Sequence, residues 1–378
     1  MEATRVVSRA KAYLKLRQKR VRDAMKALKL DGLLLTHAPD LAYLTNFTGD
    51  DSVGILTDKE FILVTDFRYQ EQVEQEAGWL TVQIRDGKMS EALAKALVAS
   101  KAARVGFEAN FTSFGQVHAL DRAVKEIKGA KPIELVPLED VMTNVRKVKD
   151  DHEIDLIRKS VGVAEEAFEA IRGEIKVGQS ENHLAGLLVF ELRSRGASDS
   201  SFPVIVAAGA NSSLPHYRPG EVLVQRDAPL LIDWGALFKG YCSDLTRTLI
   251  IGRASSKLKE IYKIVLAAQQ AAIEFLRPGV TTLQADRVAR DVIEKAGFGK
   301  RFGHGLGHGI GREIHELPTL RKTGGEEELR PGMIVTVEPG IYLPGEGGVR
   351  IEDDVLITHS GNEVLSTLDR SFEGCHLE

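Results

Sequence analysis

The chain has few cysteines, no long apolar run and almost no net charge, and each shortage excludes a class of protein. Two cysteines, Cys242 and Cys375, are too few for a disulfide framework, which fits a reducing compartment. No apolar run of about 18 residues is present, so no membrane-spanning helix is expected. The 50 Lys and Arg residues nearly balance 54 Asp and Glu residues, and the net charge of -4 argues against bulk binding of nucleic acid.

The N-terminal residues carry charges from Arg5 onward and contain no apolar core, so we expect no secretory signal and a cytoplasmic protein. Leu14, Val21, Met25 and Leu28 recur at helical spacing, and the opposite face of this helix is basic. A basic face can bind a membrane or nucleic acid, or it can simply be solvated while the helix packs on its own domain. The near-neutral chain favours the packed helix, so neither partner is expected.

A length of 378 residues and a hydrophobic fraction of 43% are typical of a folded protein with two domains. Short strands alternate with helices in the first part of the chain, which predicts a small α/β domain over 1–145. The predicted strands are 33–35, 53–56, 61–64, 104–108 and 132–137, and the predicted helices are 90–99 and 113–126.

The second part of the chain shows two helices followed by strands, twice over, and is predicted to be one α+β domain over 146–378. The segment 146–149 joins it to the first domain. Its predicted helices are 149–174, 180–195, 256–276 and 282–296, and its predicted strands are 202–207, 230–234, 245–251, 332–338 and 348–358. This repeated order of two helices followed by strands suggests internal pseudo-symmetry, although no repeat is visible in the sequence.

Two carboxylates lie beside apolar strands of this second domain. Asp233 follows three apolar residues, and Asp244 precedes the strand at 245–251. If 237–240 is the turn of a hairpin, the two acids lie opposite or diagonal on one face, roughly 4.5–8 Å apart. Carboxylates that close repel each other unless a cation lies between them. The spacing alone is a weak signal, which acids on a surface hairpin would also produce.

A glycine-rich segment at 303–311 contains His304 and His308. Alternating glycines exclude a stable helix, and in an extended chain the two histidines would be about 13 Å apart. One metal ion therefore takes only one of them unless the chain bends, so we expect one ligand and one substrate-facing histidine. Glu338 and Glu352 each end or interrupt a further apolar strand, and surface charge does not readily explain this repeated pattern.

Together these residues resemble the pita-bread metallopeptidases, which include Xaa-Pro aminopeptidases, Xaa-Pro dipeptidases (prolidases) and methionine aminopeptidases. The matching residues are Asp233, Asp244, His308, Glu338 and Glu352, with family-like stretches at 231–235, 243–248 and 337–340. Segments 43–49 and 65–69 resemble the creatinase-type N-terminal domain, which favours the Xaa-Pro branch. The resemblance implies an α+β fold, with a C-terminal pita-bread (creatinase/aminopeptidase) domain after a smaller α/β N-terminal domain.

The resemblance also implies two divalent metal ions per chain. Asp233 would bind one ion, His308 and Glu338 would bind the other, and Asp244 and Glu352 would bridge both. A set rich in oxygen and free of thiolate suits Mn²⁺ or Co²⁺ in preference to Zn²⁺, which is also compatible. Two such ions can share a water and present it as a bridging hydroxide. Glu338 would accept and transfer the proton.

Four further residues receive roles, three histidines from their motif context and Arg350 from its position near Glu352. His315 is the candidate donor to the oxyanion of the tetrahedral intermediate, and His216 would contact the substrate or assist proton transfer. His304 resembles another histidine on the substrate side. Arg350, two residues from Glu352, would orient that carboxylate beside the substrate.

The implied function is the hydrolysis of Xaa-Pro bonds, at peptide N-termini or in dipeptides, by a homodimer that acts on small peptides. Arg312 is typical of methionine aminopeptidases, which keeps that activity as an alternative. Thr319 stands where prolidases tend to have a basic residue for the dipeptide carboxylate, so Arg312, Arg321 or Lys322 would have to replace it. Aminopeptidase and dipeptidase therefore both stay open. A non-catalytic binding protein with the same fold is a further alternative, which the complete ligand set disfavours.

Overall fold

The computed structural model describes residues 11–377, and the chain divides into two compact units between Val145 and Arg146. The N-terminal charges that argue against a secretory signal begin outside this range. Within the range, no helix combines the length and hydrophobicity that are needed to cross a bilayer.

The first unit is a six-stranded mixed sheet with helices. Its strands are β1 (Gly32–Leu35), β2 (Val53–Thr57), β3 (Phe61–Asp66), β4 (Thr81–Arg85), β5 (Arg104–Glu108) and β6 (Glu134–Leu138). Its helices are α1 (Ala12–Ala27), α2 (Ala38–Thr45), α3 (Gln70–Ala77), α4 (Met89–Ser100) and α5 (Phe114–Glu126), and α6 (Val141–Arg146) ends at the boundary. The strand order is β4-β3-β2-β1-β5-β6, in which β2 is antiparallel to both of its neighbours and the other pairs are parallel.

Side chains alternate between two hydrophobic cores on the two faces of this sheet. Leu33 and Leu35 belong to the core that contains residues of α1, α2 and α3, whereas Leu34 belongs to the core with α4 and α5. The predicted N-terminal helix is α1, and its apolar stripe packs on its own unit as expected. Leu28 lies just beyond the last helical residue and is exposed, which corrects the predicted stripe.

The second unit combines two helix pairs with four β-sheets or ribbons around one large hydrophobic core. Its helices are α7 (Asp151–Arg172), α8 (Glu181–Ser194), α9 (Ser256–Phe275) and α10 (Thr282–Lys295). Its strands are β7 (Asp199–Ser200), β8 (Ile205–Ala208), β9 (Ala228–Trp234), β10 (Ala236–Phe238), β11 (Tyr241–Cys242), β12 (Leu245–Ile251), β13 (Gly307–Gly309), β14 (Glu316–Leu320), β15 (Ile334–Val337), β16 (Gly340–Leu343), β17 (Gly347–Arg350), β18 (Asp353–Ile357), β19 (Asn362–Val364) and β20 (His376–Leu377).

Two sheets carry the cavity described below. One has the order β20-β12-β9-β8, and the other has the order β14-β13-β15-β18-β19. The strand predicted at 348–358 is in fact two strands, β17 and β18. The predicted strand is interrupted at residues 351–352, where the Glu352 amide donates to the Thr246 carbonyl of β12. This hydrogen bond joins the two sheets.

The hairpin that carries the first two acids has the predicted turn. Lys239 and Gly240 both have positive φ, 49° and 77°, as a two-residue type I′ turn requires. In the register of β9 and β12, Asp233 is paired with Thr246. Asp244 is two residues from Thr246 and is therefore diagonal to Asp233, which is one of the two predicted placements.

Candidate metal centre

A cavity of about 420 Å³ in the second unit brings together the nine residues to which the sequence assigned metal binding, catalysis or substrate contact. Its lining includes Asp233, Asp244, Glu338, Glu352, His216, His304, His308, His315 and Arg350. The four acids are held by strands of the core, because each lies within or directly next to β9, β12, β15 or the interruption between β17 and β18. The core thus fixes carboxylates that would otherwise turn to solvent.

His308 lies in β13 and directs one ring nitrogen at the acids. Its Nδ1 is 3.0 Å from the Gly309 carbonyl, which can only accept, so Nδ1 carries the proton. Nε2 is then unprotonated, and it lies 3.5 Å from Asp244 Oδ2 and 3.5 Å from Glu338 Oε1. Burial, assisted by the neighbouring His315, lowers the pKa of His308 to about 4. A neutral imidazole with a free lone pair is the form that binds metal ions.

Two carboxylate oxygens in the described cavity wall have no protein partner. Among residues 11–377, Asp233 Oδ1 and Glu352 Oε1 are buried and accept no hydrogen bond. Ligand atoms of Asp244, His308 and Glu352 lie within 4.8 Å of one another. Buried oxygens that face one another without a donor fit a divalent cation, and oxygen ligands with one imidazole suit Mn²⁺ or Co²⁺.

In the absence of a cation, the acids oppose one another's ionisation. Burial, followed by the charges of Glu352 and Asp233, raises the pKa of Asp244 well above its usual range. Burial also raises the pKa of Glu338 to about 8, with Arg350 opposing the shift and Asp233 adding to it. Such a cluster holds its charge at neutral pH only when a cation compensates it.

Arg350 was predicted to orient Glu352, but its direct carboxylate partner is Asp233. Its guanidinium forms an ion pair with Asp233 through Nη2, and its Nε donates to Thr246 Oγ1 at 3.1 Å. Thr246 Oγ1 in turn donates to Glu352 Oε2 at 2.6 Å. Arg350 therefore reaches Glu352 only through the Thr246 hydroxyl, because the extended side chain spans from β17 to the end of β9.

Both ring nitrogens of His304 are occupied by protein groups. Nδ1 donates to the Gly305 carbonyl at 2.8 Å, so Nε2 accepts from the Tyr342 hydroxyl at 2.9 Å. The same hydroxyl accepts from Arg350 Nη1 at 2.9 Å. Burial lowers the pKa of His304 to about 4, and the imidazole is neutral. His304 thus faces the cavity while its hydrogen bonds orient Tyr342.

His216 and His315 lie at the exposed side of the cavity. The His315 ring makes an edge contact with His308, with 4.4 Å between ring centroids. Burial and the proximity of His216 lower the pKa of His315, against the opposing charge of Asp233. A neutral His315 imidazole at this position can donate a hydrogen bond to a carbonyl oxygen in the cavity.

The glycines around His308 allow the strands to approach closely. A Cβ at Gly307 would lie 2.0 Å from the Thr336 carbonyl oxygen, and a Cβ at Gly309 would lie 2.2 Å from the Leu317 carbonyl oxygen. The backbone that approaches this segment is that of β15 and of β14. A register shift between His308 and Gly309 bends the strand there.

Arg312 does not line the cavity. Its guanidinium lies over the Tyr241 ring, 4.7 Å from the ring centroid. Arg321 does line the cavity, as do Thr319 and Arg218. Arg218, Thr246 and Tyr342 were missed by sequence reasoning. The pairing of Thr246 with Asp233 in the hairpin register was the one signal that would have indicated a role for Thr246.

Comparisons with known proteins cover both units. The creatinase/prolidase N-terminal domain model matches residues 17–148, and the model of metallopeptidase family M24 matches residues 155–359. A protein of Bacillus subtilis (strain 168) named uncharacterized peptidase YqhT is 37% identical over 347 residues, which are 92% of this chain and 96% of that protein.

Solved structures match over the same length. A Xaa-Pro dipeptidase from Bacillus anthracis has a TM-score of 0.91 at 38% identity and covers 96% of this chain and 100% of its own. An X-Pro aminopeptidase from Thermotoga maritima MSB8 has a TM-score of 0.86 at 34% identity and covers 94% of this chain and 99% of its own. Proteins with folds similar to this one are therefore named both Xaa-Pro dipeptidase and X-Pro aminopeptidase.

Proposed function

Because the chain belongs to metallopeptidase family M24, we propose that it hydrolyses the Xaa-Pro bond of small peptides with two divalent metal ions. The observation that carries the proposal is the cavity, where four carboxylates and one neutral imidazole converge. The creatinase/prolidase-type domain at 17–148 supports the Xaa-Pro branch. The relatives named Xaa-Pro dipeptidase and X-Pro aminopeptidase support the same substrate class.

The proposed ligands divide between two ions. Asp233 would hold one ion, and His308 with Glu338 would hold the other. Asp244 and Glu352 would bridge them. When bound, Mn²⁺ or Co²⁺ ions supply a nucleophile at neutral pH by lowering the pKa of water. The unpartnered oxygens of Asp233 and Glu352 support this assignment.

The remaining chemistry would fall to three side chains. Glu338 would accept a proton from the nucleophilic water and deliver it to the leaving nitrogen, because its carboxylate faces the cavity beside His308. His315 would donate a hydrogen bond to the developing oxyanion. His216 would contact the peptide or assist the proton transfer.

A short substrate with a free carboxylate fits this cavity best. Arg218 and Arg321 both line it, and no residue within 11–377 forms an ion pair or hydrogen bond with either guanidinium. Arg321 lies two residues beyond Thr319, so an extended chain presents both residues on one side. We therefore propose dipeptides as the preferred substrates. The placement of Arg312 on Tyr241, away from the cavity lining, gives the methionine aminopeptidase alternative no support.

The test is a hydrolysis panel on Mn²⁺-loaded protein. It compares Xaa-Pro dipeptides, the same dipeptides as C-terminal amides, Xaa-Pro-Xaa tripeptides and methionyl peptides without proline, each with a chelated control. We expect fastest cleavage of the free dipeptides. Equal cleavage of tripeptides or amides would indicate an aminopeptidase, and preference for methionyl peptides would overturn the Xaa-Pro assignment. No chelator-sensitive hydrolysis would indicate the non-catalytic binding protein.

Variants locate the carboxylate contact. Arg218→Ala and Arg321→Ala should slow cleavage of the free dipeptide but not of its amide, because only the free dipeptide offers a carboxylate. Arg193→Ala is a matched control, since Arg193 is an exposed arginine that pairs with Asp199 and does not line the cavity. Equal losses on both substrates would contradict the assignment.

We further propose a homodimer in the cytoplasm, with functional domains at 1–145 and 146–378. The free, buried thiols of Cys242 and Cys375 support a reducing compartment. Sedimentation equilibrium of the full chain tests the dimer.

A further inference from the structure

Glu181, the first residue of α8, is a fully buried carboxylate that does not line the cavity. Each of its oxygens accepts two hydrogen bonds. Oε1 accepts from the Ala208 amide at 2.8 Å and from Asn211 Nδ2 at 2.9 Å. Oε2 accepts from the Tyr217 hydroxyl at 2.8 Å and from the Gly220 amide at 3.0 Å. All four donors are neutral groups.

These four donors all belong to one segment, residues 208–220, which we call the His216 loop. The loop supplies His216, Tyr217 and Arg218 to the wall of the cavity. Backbone bonds hold the carboxylate's own position, because the Glu181 amide donates to the Val222 carbonyl at 3.0 Å and the Asn182 amide donates to the Gly220 carbonyl at 3.0 Å. One carboxylate therefore ties both ends of the loop to the start of α8.

A buried carboxylate is costly unless hydrogen bonds saturate it, and here every lone pair of Glu181 is used. A glutamine at this position would place an NH₂ group against two of the four donors. The loop would have to move to relieve that repulsion. An acceptor of four hydrogen bonds, which lies behind the cavity wall and bonds to Tyr217 of that wall, indicates that the bonds hold the loop in one shape.

We propose that Glu181 is a positioning residue, which holds the His216 loop so that His216 and Arg218 face the substrate. The inference rests on the proposed function, since it assigns those two side chains to the peptide. Loss of Glu181 should raise KM more than it lowers kcat, because the groups for the proposed metal ions are on other strands.

The first experiment compares Glu181→Gln with wild type on an Xaa-Pro dipeptide. We expect kcat/KM to fall by about tenfold or more, mostly through KM, as for the loss of hydrogen bonds to a charged group. Mn²⁺ stoichiometry by calorimetry should be unchanged. Glu108→Gln is the matched control, because Glu108 is a buried carboxylate of the first unit that accepts from the Met142 amide, and its kcat/KM should equal wild type.

A double-mutant cycle tests whether Glu181 acts through the loop. In a His216→Ala background, Glu181→Gln should change kcat/KM by less than in the wild type. Equal fold-changes in both backgrounds would overturn the inference.

A readout without catalysis separates this inference from the proposed function. In metal-free protein, Glu181→Gln should accelerate amide hydrogen exchange at Ala208 and Gly220 while leaving α9 unchanged. Unchanged exchange at both amides would overturn the inference even if the enzyme is active. If the wild type hydrolyses no peptide but Glu181→Gln still accelerates exchange at the two amides, the proposed function is overturned. The conclusion that Glu181 holds the His216 loop would then stand without it.

Discussion

Asp233, Asp244 and Glu352 are carboxylates in places that a hydrophobic core normally fills with aliphatic side chains. Each is less than about one-tenth exposed, and Asp233 and Glu352 each keep one buried oxygen that accepts no hydrogen bond. A buried acid of this kind stays charged only beside a cation. The burial and mutual repulsion of these three acids are consistent with the metal-binding role that the family resemblance implies for them.

Replacement of Asp244 by alanine removes the carboxylate that we propose as a bridging ligand. We expect Asp244→Ala to lose stoichiometric binding of two Mn²⁺ ions and to lose hydrolysis, as measured by titration calorimetry and by the peptide assay. Asp199→Ala, an exposed aspartate of the same unit, is the control and should bind normally. A variant that keeps two ions and full activity would show that Asp244 is not a ligand.

Glu338→Gln should separate turnover from binding. The amide keeps the shape of the side chain but cannot accept the proton, so kcat should fall by about 10²- to 10⁴-fold while substrate affinity changes little. Single-turnover kinetics and inhibitor binding measure the two quantities. A kcat close to wild type would remove Glu338 from the proton-transfer step.

The sequence was sufficient to choose these residues, but not their partners. All nine chosen residues line one cavity. The acids beside apolar strands and the glycine-rich histidine segment are visible in the chain, whereas His216, His315 and the division of roles came from the family resemblance. The ion pair of Arg350 with Asp233 and the bond of Tyr342 to His304 were not predicted. Both depend on which strands become neighbours and on side-chain rotamers, and single-chain patterns do not encode either.

At the level of elements, the start of β14 is tied to the segment that follows the unit boundary. Glu316 is buried and forms ion pairs with Arg146 and with Lys149, the latter at 3.1 Å. Burial opposes ionisation of Glu316, but Arg146 and Lys149 outweigh it and lower its pKa to about 2. These contacts fix the strand next to His315.

Glu316→Gln should therefore destabilise the protein in a pH-dependent way. The folded pKa lies below the ordinary value of 4.5, so the ionised form stabilises the fold above about pH 4.5, and this contribution is lost as the pH falls towards 2. We expect a loss of about 3 kcal/mol in the free energy of unfolding at pH 7, which shrinks below pH 4.5. Urea denaturation at several pH values measures it.

The control for this measurement is Glu363→Gln. Glu363 pairs with Arg158 at the surface, where an ion pair contributes less than about 1 kcal/mol. If Glu316→Gln lowers the free energy of unfolding no more than Glu363→Gln does, or by an amount that does not change with pH, the buried ion pairs do not stabilise the fold as argued.

Sequence patterns located the long elements and missed several short ones. The helices α4, α5, α7, α8, α9 and α10 lie close to their predicted positions, because apolar periodicity is clear over 12 to 22 residues. Strands β4, β13 and β14 were not predicted. β4 is a half-exposed edge strand, and β13 is three residues of alternating glycine, so neither shows an apolar run.

For the whole molecule, metal ions should contribute to stability as well as to catalysis. A ligand at about 100 times its Kd stabilises a fold by about 2.7 kcal/mol, which corresponds to about 5–10 °C in Tm for a unit of this size. We expect the chelated protein to melt at least that much below the Mn²⁺-loaded protein in calorimetry. The melting temperature of Asp244→Ala should not respond to Mn²⁺, and equal Tm values for chelated and loaded wild type would contradict the site.

The close approach of strands at Gly307 and Gly309 has a consequence for how this protein can evolve. Every other amino acid brings a Cβ that would overlap the backbone of β15 or β14. In a saturation library, selection for activity should therefore retain glycine at both positions, although Gly309 does not line the cavity. Relatives that differ in substrate choice can therefore differ at the exposed Arg218 and Arg321 of the cavity, whereas positions 307 and 309 should stay glycine.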